Sequence, residues 1–290
     1  MFSRIRINIK YILSKFTIIV STVFGLVSIL QLFFEWETVG IKNNDLKSKI
    51  IVLSVIMTIC IVIATVWGII SSKKVTILSE DDVKVVVKYD DLMRIAFPKK
   101  KKSERIVVIA VNNCYDTIVN DTIIRKESVH GQFLNLFAPN AEKRKALDYE
   151  IEHSLNEFGY NYTELSENDK REGKRRRYPS GSVAYIKGEN GVTFFLLALT
   201  AFNINCKAQC DKHQYFDSLL KLFEYYDEKG QGKELYLYPM GSGMSRTGLS
   251  RKEALESVIL LAKISRNYLK NKTTIVVDKK CKNELSITDL

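Results

Sequence analysis

The 290-residue chain is short of the features that mark several protein classes. Its five cysteines, Cys60, Cys114, Cys206, Cys210 and Cys281, have no framework spacing, and Cys60 sits inside an apolar run. They read as reduced thiols rather than disulfide partners. Cys206, Cys210 and His213 lack an evident fourth ligand, so they read as unpaired residues in a loop and a helix rather than as a zinc site, and no metal is expected. No nucleic-acid motif, internal repeat, P-loop or GxGxxG fingerprint occurs. Charge is missing altogether from two long apolar stretches, residues 16–34 and 50–70. Ion pathways and transporters carry charged groups within their spans, so one such hairpin alone is neither. A pore would need several copies.

Those two stretches dominate the first quarter of the chain. Each reaches the roughly 20 residues that cross about 30 Å of hydrocarbon as a helix. The first is too long for a typical signal-peptide core, has no small-residue cleavage site, and is followed directly by the second. Buried core helices are the alternative, but neither stretch has polar residues at helical period. The short loop 35–49 makes an antiparallel hairpin. Arg4, Arg6, Lys10 and Lys15 precede it and Lys73 and Lys74 follow it, against Lys42, Lys47 and Lys49 in the loop. This bias puts both termini in the cytoplasm, with the anchor in the cell inner membrane. Trp36 and Trp67 fall near span ends, where indole rings favour the interface. The net charge of +11 then points to anionic lipid headgroups as a partner, and not to nucleic acid. The expected division is a membrane anchor over residues 1–74 and one soluble domain over 75–290.

The remainder alternates strand and helix patterns. Residues 75–78, 83–89, 106–111 (IVVIAV), 193–200 (TFFLLALT), 234–238 (ELYLY) and 273–277 (TTIVV) read as strands. Residues 141–158, 213–228 and 251–269 read as helices. Residues 99–102 form a basic loop, and the charged stretch 167–177 reads as solvated. Interleaved strands and helices predict an α/β fold, three layers with a mixed central sheet.

Three segments carry candidate chemistry. Residues 239–248, PMGSGMSRTG, join a strand to a helix. Gly241, Gly243 and Gly248 allow close backbone approach, Ser242, Ser245 and Thr247 supply hydroxyls, Arg246 a cation, and Met244 lies among them. Exposed N–H groups at such a turn suit an anion, phosphate above all; a capped glycine-rich turn is the alternative. Asn112, Asn113, Cys114, Tyr115, Asp116 and Thr117 follow the IVVIAV strand, where an open α/β sheet presents its ligand crevice. Asn and Asp there can read a base or ribose, or simply start a turn. Cys114 has no evident activating base and reads as a packing residue. In SVHGQF, residues 128–133, His130 adjoins Gly131 without a nucleophile tied to it.

In order, KYDDL, VIAVNN, FFLLALT and PMGSGMSRTGLSRKEA resemble the strand ends and phosphate loop of a macro domain, the ADP-ribose-binding fold. The resemblance gives Asp91 the adenine contact, although Asp90 stands where the family usually has glycine, and it adds Thr200 to the ligand-binding candidates. The family's glycine-rich loop after the Asn strand is replaced here by NNCYDTIVND, which argues against ADP-ribose hydrolysis. That loop, the following SVHGQF and the two preceding apolar stretches together resemble the transmembrane-macro type of Thoeris antiphage effector. The resemblance implies an immune effector that is not an enzyme. It would sense an ADP-ribose derivative, a histidine conjugate, made by a TIR-domain partner, then form a homo-oligomer and disrupt the membrane. A membrane-tethered macro hydrolase and a tethered scaffold without ligand are the alternatives.

Overall fold

A computed structural model of the chain describes every residue except Met1, Ile41, Asn43, Asn44, Asp81, Lys102, Cys206, Met244 and Leu290. The zinc candidate Cys206, the loop lysine Lys102 and the ligand candidate Met244 therefore lie outside the described residues. Contacts divide the chain into two compact units, Met1–Val75 with Lys280–Leu290, and Thr76–Lys279. The last eleven residues thus group with the first unit, although sequence placed them with the soluble domain.

In the first unit a short helix α1 (Phe2–Ile7) leads into α2 (Ile9–Gln31), and α3 (Leu46–Ser71) returns alongside it. Both long helices are long and apolar enough to cross a bilayer. Asp45 caps α3 by accepting the Ser48 N–H at 3.1 Å. The buried residues of α3 are small, Cys60, Ala64 and Gly68, at four-residue spacing. A Cβ on Gly68 would stand 2.6 Å from Cγ1 of Ile12, so glycine is what permits α2 to come this close. The large side chains point outward instead: Ile18, Leu26, Ile59, Val62 and Ile70 are all about half exposed. Lys15 lies 5.5 Å from the Trp67 ring centroid and Lys49 5.7 Å from that of Trp36, one pair at each end of the hairpin. The 18 residue steps between Lys49 and Trp67 span about 27 Å of helix, close to the hydrocarbon thickness.

The second unit is built on one mixed sheet. Its strands and helices in chain order are β1 (Lys74–Glu80), β2 (Val83–Asp90), α4 (Leu92–Ala96), β3 (Arg105–Asn112), α5 (Val129–Phe137), α6 (Ala141–Glu157), β4 (Thr163–Glu164), β5 (Arg176–Arg177), β6 (Val183–Lys187), β7 (Val192–Phe202), β8 (Ala208–Gln209), α7 (Lys212–Lys229), β9 (Glu234–Leu237), α8 (Arg251–Ile264) and β10 (Thr273–Asp278). The order across the sheet is β1-β2-β10-β9-β3-β7-β6, with β8 on the end of β7. From β2 to β7 every neighbour is parallel, and β6 runs antiparallel to β7. The apolar runs of β3 and β7 are buried on both faces because helices cover both. On one face Val107, Ile109 and Val111 pack with Phe133 and Leu134 of α5, Leu147 and Ile151 of α6, and Phe194. Helices α7 and α8 bury Leu219, Leu222, Leu255 and Val258. The helix expected over 251–269 stops at Ile264, followed by a 3-10 turn at Arg266–Tyr268. The expected three-layer α/β fold is what forms.

Candidate functional site

The parallel pairing sets all the C-terminal ends of the central strands on one edge, the usual place for a ligand crevice. A cleft of 790 Å³ opens there, lined by the ends of β3 and β7, the segment after β9, and residues 121–130. Where β3 meets β7 the register slips: Val111 pairs with Ala198, but Asn112 pairs with Thr200. This bulge skips Leu199 and brings Asn112 opposite Thr200, both at the cleft wall. Asn113 N–H donates to the Thr200 carbonyl at 2.7 Å and locks the pair. The Asn112 Oδ1 accepts from the Cys114 N–H at 3.0 Å, fixing the amide. Its Nδ2 is buried and has no partner among the described residues. A buried amide donor left over in a cleft wall is costly unless a ligand or a water accepts from it.

The opposite wall is the glycine loop after β9. Tyr215 on α7 donates to the Met240 carbonyl at 2.8 Å, and Thr247 Oγ1 donates to the Gly241 carbonyl at 2.9 Å. These two bonds hold the loop from beneath. Gly241 has φ +105, and a Cβ there would meet the Tyr215 ring at 2.8 Å, so no larger residue fits. Gly243 has open space around it and is exposed. The N–H groups of Gly241, Ser242 and Gly243 have no acceptor among the described residues. Such a row of N–H groups suits an anion. Arg125, Lys207 and Arg246 also line the cleft, against Asp121 and Glu127, so positive charge prevails. His130 sits at the base on α5, whose cap Ser128 accepts the Gly131 N–H at 2.9 Å. Burial, with the Lys174 and Arg144 charges, pushes its imidazole down to about 3, so it is neutral at physiological pH.

The sequence matches a known family. A model of the family "Thoeris protein ThsA, Macro domain" covers residues 85–278. The chain belongs to that family. Among curated proteins, "Thoeris protein ThsA" of Bacillus amyloliquefaciens (strain Y2) is 25% identical over 210 residues, 72% of this chain. The chain spans 65% of that relative's length. Similar solved structures include the Oceanobacillus iheyensis macrodomain with MES bound, 12% identical with a TM-score of 0.45. The same macrodomain with ADP has a TM-score of 0.46, again at 12% identity. Both alignments cover 72% of this chain and 90% of the other.

Within this ThsA macro domain the structure sorts the sequence candidates. Asn112, His130, Thr200, Gly241, Ser242, Gly243, Ser245 and Arg246 come together at the cleft. Thr247 and Gly248 stand outside the lining; Thr247 fastens the loop and Gly248 (φ +77) turns it. Asp91 is also outside. It is the exposed N-cap of α4, accepting the Arg94 N–H at 3.2 Å, while the buried Asp90 binds Lys88, Arg94 and Lys279. Against the cost of burial, hydrogen bonds from Arg94, the Asp91 N–H and Lys88 hold the Asp90 carboxyl well below its usual range. Gly131 is absent from the lining because α5 presses it on the Arg125 carbonyl.

Asn113, Asp116 and Thr117 are buried and stand outside the lining as well. Tyr115 adopts φ +52 and turns the chain inward, and its hydroxyl bonds the Ser182 carbonyl at 2.8 Å. Asp116 then ion-pairs with Lys170 at 2.5 Å, both side chains fully buried, and accepts the Lys174 N–H at 2.6 Å. Thr117 donates to Asp148 at 2.9 Å. The charged stretch over 167–177 is therefore not simply solvated. Its Lys170 is a core residue, and Gly173 (φ +84) admits the Asp116 carboxylate where a Cβ would collide. Cys114 is buried, and burial raises its thiol pKa, as for a packing residue. Cys210 is buried as well, and His213 is exposed on the first turn of α7. No group of three metal-ligating side chains occurs among the described residues. Lining residues that the sequence reading did not single out include Asp121, Arg125, Glu127, Asn205 and Lys207. Only their loop setting beside β3 and β7 hinted at them.

Proposed function

We propose that the chain is a membrane-anchored antiphage effector whose macro cleft senses an ADP-ribose-type nucleotide. The observation that carries this is the pairing of an unpartnered Asn112 amide with a glycine loop of open N–H groups across one cleft. A diphosphate suits the loop and Arg246, and a ribose hydroxyl suits the amide donor. At the rim, Arg125 and Lys207 stand with Asp121 and Glu127. Both signs of charge suit a zwitterionic group attached to the ribose, such as histidine, in a conjugate released by a TIR-domain enzyme. Binding is favoured over hydrolysis because His130 is held neutral by burial and the Cys114 thiol is pushed up, leaving no activated nucleophile beside them.

The hairpin supplies the output in this reading. Both termini lie in the cytoplasm and the hairpin in the inner membrane. One such hairpin satisfies its own backbone and leaves no water path. Disruption therefore needs several hairpins gathered by ligand-driven homo-oligomerisation, and moving assembly from 1% to 99% takes roughly 5.5 kcal/mol of differential binding. The test is dye leakage from liposomes holding the full chain, with light scattering, on adding ADP-ribose or its histidine conjugate. Leakage together with a rise in oligomer size is expected. Leakage at constant size contradicts the clustering step, and turnover of the conjugate on the same timescale moves the reading to a tethered hydrolase.

A further inference from the structure

The segment after β10 is tied down by side-chain contacts far away in sequence. After β10 a 3-10 turn, Lys279–Asn283, carries the chain out of the sheet unit, and Lys280–Leu290 packs within the hairpin unit. The contacts are specific. Ser3 Oγ donates to the Asn283 carbonyl at 3.0 Å, and Arg4 Nε donates to Asn283 Oδ1 at 3.3 Å. Asn8, between α1 and α2, is 4% exposed. Its Oδ1 accepts from Ser286 Oγ at 3.1 Å and from Thr288 Oγ1 at 3.2 Å, while its Nδ2 donates to the Arg4 carbonyl at 2.9 Å. Leu285 and Ile287 are buried between these polar contacts, where the chain bends. A buried asparagine whose amide is satisfied from both sides is specific to this docking and would be left partly unpaired without it.

We infer that residues 280–290 are a clasp fastening the sensor domain to the membrane hairpin at a second point. The chain passes between the two units at Val75/Thr76 and again at Lys279/Lys280. A single crossing leaves a domain free to swing on its tether. Two crossings close a ring through the sheet, because the second leaves from β10, which is paired between β2 and β9. Strand β9 runs directly into the glycine loop of the cleft.

The inference is independent of any ligand and is tested on the full chain in detergent. A protease recognition sequence is inserted between Ser72 and Lys73, with an affinity tag ahead of Met1. After cleavage, the intact clasp keeps residues 73–290 on the tagged hairpin. Truncation after Asn283, or Asn8→Ala, releases that fragment at least about tenfold faster, the ratio that roughly 1.4 kcal/mol gives. Equal release of the intact and truncated chains, or equal retention of both, overturns the clasp. A second measurement guards against misfolding of the insertion variant. In a Cys281→Ser background without the insertion, Asn8→Cys with Ser286→Cys forms a disulfide under mild oxidation if the clasp is docked, and failure to form it overturns the docking.

Discussion

The hairpin and the sheet domain of this chain are packed in opposite senses. In the domain the large side chains are inside, with Phe133, Phe194 and Phe223 almost wholly buried. In the hairpin the buried stripe of α3 is Cys60, Ala64 and Gly68, and the isoleucines and valines face out. Charge is inverted as well. The domain buries an Asp116–Lys170 pair completely, whereas the hairpin keeps Lys15 and Lys49 at its ends beside Trp67 and Trp36. Each arrangement suits a different solvent. Water drives large apolar groups inward, while lipid would offer them no such drive and would favour helices that approach through small residues.

The sharpest way to break this contrast is to shorten one large side chain in each region. Phe194→Ala should cost the domain about 3–5 kcal/mol, read by denaturation of the full chain in detergent. Ile59→Ala, on the outer face of α3, should change stability by less than about 0.5 kcal/mol. A comparable loss at Ile59 would mean that the outer face is packed against protein. The buried pair comes next. Lys170→Met leaves the Asp116 carboxylate uncompensated and should cost about 3 kcal/mol, with part of the loss recovered by adding Asp116→Asn. If Lys170→Met alone is neutral, the pair is not buried as described.

Acid should reveal a graded effect. In the folded domain His130 titrates at about 3, below its ordinary 6.5. Below pH 6.5 the unfolded chain takes up a proton that the folded one refuses. Stability therefore falls as pH drops from about 6.5 toward 3, by about 1.4 kcal/mol per pH unit from this group. Denaturation midpoints between pH 7 and 4.5 should flatten in His130→Gln, and an unchanged slope would place the acid sensitivity elsewhere.

The same physical contrast decides what could be read in sequence. Strands β3 and β7 were legible because strands buried on both faces must be continuous apolar runs. The hairpin was legible by length and lack of charge, and the loop over 239–248 by its glycines. Lys170 was not, because charge in sequence implies solvent unless the partner is known, and Asp116 lies 54 positions away. The residues after β3 divided in a way no pattern shows. Asn112 reaches the cleft through a bulge, then the left-handed turn at Tyr115 sends Asp116 and Thr117 to the core. The chain comes back to the cleft only at Asp121, so proximity to the strand end misled. The antiparallel edge strand β6 was missed because it is short, with a half-buried Tyr185 and an exposed Lys187 breaking the run. The clasp was invisible because its contacts join residues about 280 positions apart.

The central claim is that an ADP-ribose-type nucleotide occupies the cleft between Asn112 and the glycine loop. Gly241→Asp is a poor probe, since its Cβ would strike Tyr215 and unseat the loop. Gly243 has nothing within 4 Å, so Gly243→Glu puts a negative charge at the anion site while sparing the fold. Calorimetric titration of the full chain in detergent with ADP-ribose and its histidine conjugate measures the claim directly. The account predicts binding of at least one of them by the native chain and none by Gly243→Glu, with both chains unfolding at the same temperature. Equal affinity in the two chains, or no binding of either nucleotide to the native one, would contradict it.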